Sequence, residues 1–451
     1  MGKLMGASGV GPFGVGPFGA ALTHVTMLGV ALMVFGVGCT CGSPSDGIAA
    51  DTMLPDPDLK TSSLDGAYDR GRALSRERGG LDTLSPDLVS LPPCGGRRMI
   101  TPKPVMPYTP RPCGKACEQI TFGRWVELDS YRVRGEVLVY SSLVKGAFFE
   151  LHALDLKTGK EVQLSTSGPL ARSCPVVATD GTSLIAGCAV FHKVGGTIAR
   201  FSISRIDLTT FEETDIYCRD IPFSAKPCIA ESMDASRRLV ALSWNPGKCG
   251  GRPHTISISG GPLVKLASVG RRIAISDEHV VWVGWSGGSS LSTIVIYDLA
   301  TGKEKPLSPG PGAQSFPRID GDQVVWVDGR NKGPALLGTK GNHDIYYYNL
   351  TKRQELAITR DAAVQLEPDV SGKWVVWEDW RASPGGDPAV NKSNSDIYAY
   401  NLKTHQEVQL TNFPGRELSP RVDRDRVFFR MGDMKGNANL FMIDLTKRFA
   451  K

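Results

Sequence analysis

Two stretches decide the reading: DIYYYNLTKRQELAIT, residues 344–359, and DIYAYNLKTHQEVQLT, residues 396–411. Their starts, 344 and 396, lie 52 residues apart. Each runs from an alternating Asp-Ile-Tyr piece through Asn-Leu and a polar turn to a piece that closes on Thr. Near-identity at such a spacing means that one structural unit is used more than once.

Working outward gives the whole unit. It begins EPDV (367–370), turns at Ser371-Gly372, and runs KWVVWED (373–379). A polar loop follows, then DIYAYNL (396–402) and EVQLT (407–411). All four pieces are short, alternating or β-branched, and bounded by turn residues, which predicts antiparallel strands. The VVW-type piece recurs as VLVY (137–140), LIAGC (184–188), LVALSW (239–244), VVWVGW (280–285), VVWVD (324–328), WVVWED (374–379) and VFFR (427–430). The piece after it recurs as often. Four strands in a unit of 40 to 50 residues predict an all-β, seven-bladed β-propeller. Six blades is the alternative count, because the unit at 254–285 is degenerate. The final unit stops after its third strand, at 445–451, whereas EQIT (118–121) precedes the first unit. That N-terminal strand is expected to complete the last blade and leave no open sheet edge.

VVWVDGR (324–330), KWVVWEDWR (373–381) and the two DIY copies resemble the repeats of TolB-type and cell-surface β-propellers. The resemblance covers about 118–445 and implies the fold. The SPDG turn of that family is reduced here to VSG or IDG, and the α/β domain of TolB has no counterpart. The envelope-maintenance role of TolB is therefore not carried over.

The first residues read as a targeting segment, 1–38. Lys3 precedes an apolar run that is densest at MLGVALMVFGVG (27–38). Cys39 after Gly38 resembles the lipobox of bacterial lipoproteins and would be the lipidated residue, although Gly36 stands where that motif has Leu. Residues 39–115 are rich in Pro, Gly and Ser and read as an extended, mostly disordered tether, its last part lying against the propeller of 116–451. Export also suits the ten cysteines. A turn at Asp180-Gly181 would bring Cys174 opposite Cys188, and Cys218 and Cys228 bracket a short loop.

Composition points to a soluble, globular chain: 41% apolar, 22% charged, net charge +6. The loose Arg70–Arg78 cluster reads as a solvated segment and not as a nucleic-acid patch. The Asp-x-Arg pairs Asp328/Arg330 and Asp379/Arg381 read as hairpin braces, each guanidinium bridging its Asp to Asp344 or Asp396. The Trp of each VVW piece is expected between blades. Strand alternation puts both sets of long loops on one face, so Trp285, Arg330, Trp380, Arg381 and Arg430 are the binding candidates there. The common hydrolase, metalloprotease and nucleotide motifs do not occur. The expectation is a non-enzymatic monomer, lipid-anchored in the bacterial cell envelope (periplasm or outer membrane), binding a protein or glycan. A polysaccharide lyase or glycoside hydrolase with a site at the channel mouth is the alternative. No cofactor is expected, Ca²⁺ on channel aspartates being the one option.

Overall fold

The computed structural model describes residues 96–450 except 106–110, 122–125, 145–147, 165–171, 192–197, 222–231, 245–250, 267, 286–290, 333–341, 387–393 and 433–437. The expected signal segment, Cys39 and Cys228 fall outside the described residues. The strands form seven antiparallel sheets, as the sequence period predicts. They are the blades of a propeller: blade 1 at 126–163, blade 2 at 172–220, blade 3 at 232–265, blade 4 at 270–306, blade 5 at 314–357, blade 6 at 365–409 and blade 7 at 417–444. Within blades 1 to 6 four strands follow one another outward in chain order, whereas blade 7 has three such strands and takes its fourth from the N-terminal side. The first strands of neighbouring blades pack together around the axis, and blade 7 returns to blade 1.

The binary pattern explains the layering. Second strands such as Trp374–Asp379 are buried along their whole length, because neighbouring blades cover both faces. Outer strands such as Lys303–Pro306 are mostly exposed and correspondingly charged. Trp282, Trp326 and Trp377 are fully buried, each in a cluster with apolar side chains of the preceding blade. The turn after each third strand is capped locally. Asp155, Asp207, Asp298 and Asn401 each accept hydrogen bonds from backbone N–H groups two and three residues on. Gly302 supplies the positive φ there, and His405 takes it in blade 6 (φ 57°).

Closure follows the expectation. Cys117–Gln119 pairs with the third strand of blade 7, Ala438–Asp444. The terminal Thr explains why LT-type endings recur. The Thr359 hydroxyl accepts from Ile345 N at 2.9 Å and that of Thr411 from Ile397 N at 2.8 Å. Thr121 accepts from Leu440 N at 2.8 Å, so the early segment does in blade 7 what the chain's own fourth strands do in blades 5 and 6.

Part of the segment read as a tether adds further strands. Arg97–Met99 pairs with the outer edge of blade 2 and Lys103–Pro104 with that of blade 1. Arg111–Gly114 then pairs with Cys117–Gln119 on blade 7. The chain therefore straps three consecutive blades, including the seam where the ring closes. Prolines at 104 and 112 are tolerated because an edge strand can leave one side unbonded. Disulfides join Cys113 to Cys117 at the closing hairpin and Cys174 to Cys188 across the first two strands of blade 2. Cys218 is also disulfide-bonded.

Candidate functional site

The Asp-x-Arg pairs are braces, but with a different second partner from the one expected. Asp328 is fully buried. It accepts from Trp326 Nε1 at 2.9 Å, Gln314 Nε2 at 2.7 Å and Arg330 Nη2 at 2.7 Å. Arg330 reaches outward to Glu355 on the fourth strand at 2.7 Å and lies 4.1 Å from the centre of the Tyr346 ring. Blade 6 repeats this with Trp377, Asp379, Arg381, Glu407 and Tyr398. The guanidinium thus locks the interblade Trp to the outer strand. Asp344, opposite Asp328, instead accepts from Asn331 Nδ2. Blade 4 has Gly284 in place of the Asp, and there Trp282 Nε1 has no partner.

The other sequence candidates are spread among local partners. Trp380 is buried beneath Arg416, whose Cζ lies 5.5 Å from the ring centre. Trp285 is half-buried, with Arg271 at 5.2 Å. Only Arg430 reaches the group described next, facing Glu378.

A concentration of charge lies on the axis. Registers Gln314↔Asp328, Gln365↔Asp379 and Gly270↔Gly284 place the starts of first strands and the ends of second strands at one end of the propeller. The long connections leave from that end. Two residues inside it, each first strand of blades 4 to 7 is bulged, with a register shift at the same place. The bulged residues are Arg272, Phe316, Glu367 and Ser419, all at positive φ (55°, 53°, 49° and 53°). Left-handed backbone costs a non-glycine residue about 1–2 kcal/mol, and a bulge re-aims its side chain. Four in a row turn this rim toward the axis. In blades 5, 6 and 7 a proline follows, which the bulge tolerates because ladder pairing is already interrupted.

The side chains meet across the mouth. Arg272 of blade 4 passes over the Phe316 ring at 3.8 Å and pairs with Glu367 of blade 6 at 3.5 Å. Glu367 pairs onward with Arg421 of blade 7, also at 3.5 Å. One layer deeper, Arg132, Asp234, Arg318, Asp369 and Arg421 occupy equivalent positions, each opposite the third residue of its second strand. Arg132 extends across the axis to the Met233 carbonyl at 3.5 Å. Asp234 and Asp369 each take a backbone N–H of the next blade, Ile275 and Val422. Burial pushes the Asp369 carboxyl up, while Arg421, Arg318 and Arg132 pull it down.

Glu378 sits beside Glu367. Burial and the neighbouring Glu367 charge push it up to about 8, against the Ser419 N–H, Arg421 and Arg430. Near neutral pH it is therefore a protonated acid among guanidinium groups. A cavity of about 270 Å³ lies elsewhere, at the closing seam, between Leu410, Phe413 and the Cys113–Cys117 hairpin. Among the described residues no group of three His, Cys, Asp or Glu is placed to hold a metal.

Sequence reading missed Glu367, Glu378, Arg272, Arg318 and Arg421. For Arg318, Glu367 and Arg421 a signal was present in the repeated Phe-Pro-Arg, Glu-Pro-Asp and Ser-Pro-Arg triplets at 316, 367 and 419, whereas Arg272 and Glu378 lie outside them.

No family model matches the chain, and no curated protein matches it. The fold itself has solved counterparts. An oligogalacturonate lyase in complex with manganese aligns with a TM-score of 0.52 at 14% identity, over 78% of this chain and 98% of that one. An oligogalacturonate lyase from Vibrio parahaemolyticus aligns with a TM-score of 0.52 at 13% identity, over 79% and 100%. A putative TolB from Agrobacterium tumefaciens is more distant, with a TM-score of 0.39 at 15% identity, over 65% and 97%. The chain is an all-β seven-bladed propeller, and at such identities its likeness to the two lyases is one of fold.

Proposed function

We propose that this chain is a non-enzymatic binding propeller of the bacterial cell envelope, anchored through lipid on Cys39, that holds a protein or glycan on its loop-rich face. The observation that carries the reading is the rim of Arg272, Phe316, Glu367 and Ser419, strained in four consecutive blades and turned to the channel mouth. Strained backbone at one rim of a rigid scaffold is kept where side chains must be aimed. The test has two parts. Palmitate labelling should be lost in Cys39→Ser. Capture of a partner from envelope extract, or of a glycan from an array, should be lost in Phe316→Ala and kept in Arg353→Ala, on a distant turn. Capture indifferent to Phe316 would count against the rim.

One observation favours a second reading, a lyase or hydrolase acting on polysaccharides. Glu378, pushed up to about 8, lies beside a second carboxyl, Glu367, and a raised carboxyl next to another is an arrangement used in acid–base work. The oligogalacturonate lyases share the fold. Turnover of an acidic glycan that Glu378→Gln abolishes would replace the binding reading with this one.

A further inference from the structure

We propose that the channel mouth accepts a carboxylate group of a small organic anion between Arg272 and Arg421, in the position now held by Glu367. The inference rests on the reading that the loop-rich face binds a ligand, and it names the chemistry of that ligand's buried end.

Three observations lead to it. First, among the described residues Glu367 is the one carboxylate that pairs with both Arg272 of blade 4 and Arg421 of blade 7, and it does so at 3.5 Å on each side. The brace arginines of the same propeller hold their carboxylates at 2.7 Å and 2.9 Å. The axial pairs are therefore looser than the chain's own best ion pairs. A carboxylate approaching along the axis can meet each guanidinium at the shorter, forked distance. Second, among the described residues guanidinium groups outweigh carboxylates there. Arg132, Arg318 and Arg421 act on Asp369, Arg272 and Arg421 pair with Glu367, and Arg430 acts on Glu378, which is protonated near neutral pH. Walls of low dielectric around such an excess concentrate small anions. Third, the bulge at Glu367 gives its side chain a rim position, and Arg272 lies along the Phe316 ring, an apolar platform for the ligand's carbon skeleton.

The step is an exchange of ion-pair partners. Glu367 swings outward toward solvent, and the ligand carboxylate takes its two guanidinium partners.

The probe is tricarballylate, titrated calorimetrically into the full-length protein at low and at physiological salt. Glu367→Gln keeps the shape and removes the competing charge, so its affinity should rise at least tenfold over wild type and fall with salt. Adding Arg272→Gln to Glu367→Gln should reverse that gain. Arg421→Lys, which keeps the charge and loses the fork, should weaken binding at least fivefold. A Glu367→Gln protein no tighter than wild type, or a gain that survives Arg272→Gln, would overturn the proposal. Envelope capture run on the same variants separates the two ideas. Capture that ignores Arg272 and Glu367, with no tricarballylate binding, removes the anion site and leaves the face. Tricarballylate binding that follows the arginines, without any capture, supports the anion site and removes the macromolecular ligand.

Discussion

Replacing Glu417 by Gln should stabilise the propeller at pH 8 and leave it little changed at pH 5. Glu417 opens the first strand of blade 7 and is fully buried. Asp396, the start of the third strand of blade 6, is also fully buried and faces it. The Thr411 hydroxyl and the Phe413 N–H offer Glu417 limited compensation, and Asp396 Oδ1 has no hydrogen-bond partner. Two ionised carboxylates so placed repel, whereas a proton on Glu417 turns the encounter into a hydrogen bond. Burial first, and then the Asp396 charge, push Glu417 up to about 8, against the Thr411 hydroxyl. Blades 5 and 6 carry Gln314 and Gln365 at the equivalent positions, so an amide fits this corner. A carboxyl raised in the fold contributes stability that is complete below its unfolded value and is lost as pH climbs toward the folded one. That window runs from 4.5 to about 8. At about 1.4 kcal/mol per pH unit the wild type would lose roughly 4 kcal/mol between pH 5 and 8, and sharing of the proton with Asp396 brings this to about 2–4. Glu378 adds its own slope to both proteins, so the difference between them isolates Glu417. Urea unfolding at half-unit pH steps measures it. Parallel stability curves for wild type and Glu417→Gln across pH 5–8 would refute the reasoning.

Other perturbations test the remaining architecture. Asp379→Ala strips Trp377 Nε1 and the Arg381 guanidinium of their buried acceptor. It should cost about 3–5 kcal/mol in urea unfolding, since one partner of a buried charge pair is left alone. Thr121→Val removes the acceptor for Leu440 N and should cost about 1–3 kcal/mol, with little effect on the other blades. Deleting residues up to 121 should leave the edge of Ala438–Asp444 unpaired and produce aggregates in size-exclusion chromatography, whereas deletion up to 95 should not. The Cys174→Ser/Cys188→Ser double variant opens a loop of separation 14 and should lose about 3 kcal/mol, read as a lower urea midpoint.

Much of the fold was legible because it is written locally and many times. Alternation, turn residues and a 52-residue repeat need only neighbours in sequence, so blade boundaries, Trp placement and the Cys174–Cys188 hairpin could be read directly. The closing strand was legible for a related reason: Ile120-Thr121 carries the same ending as Ile358-Thr359 and Leu410-Thr411. The strap was not, because Arg97–Met99 and Lys103–Pro104 carry no strand pattern and pair only where blades 2 and 1 present free edges.

The candidate site divides in the same way. The sequence determined that Asp328, Arg330, Asp379 and Arg381 would be braces, since their spacing recurs with the blade. Which acid each arginine would reach depended on side-chain reach across the sheet, and Glu355 and Glu407 on the outer strands won over Asp344 and Asp396. The axial group was decided by tertiary structure alone. Arg272, Glu367 and Arg421 are far apart in the chain, and each reads singly as an ordinary strand residue. Radial symmetry brings equivalent positions of different blades to one axis, and the repeated bulge turns them inward. No local pattern encodes a meeting among blades 4, 6 and 7, because its geometry exists only once the ring is closed.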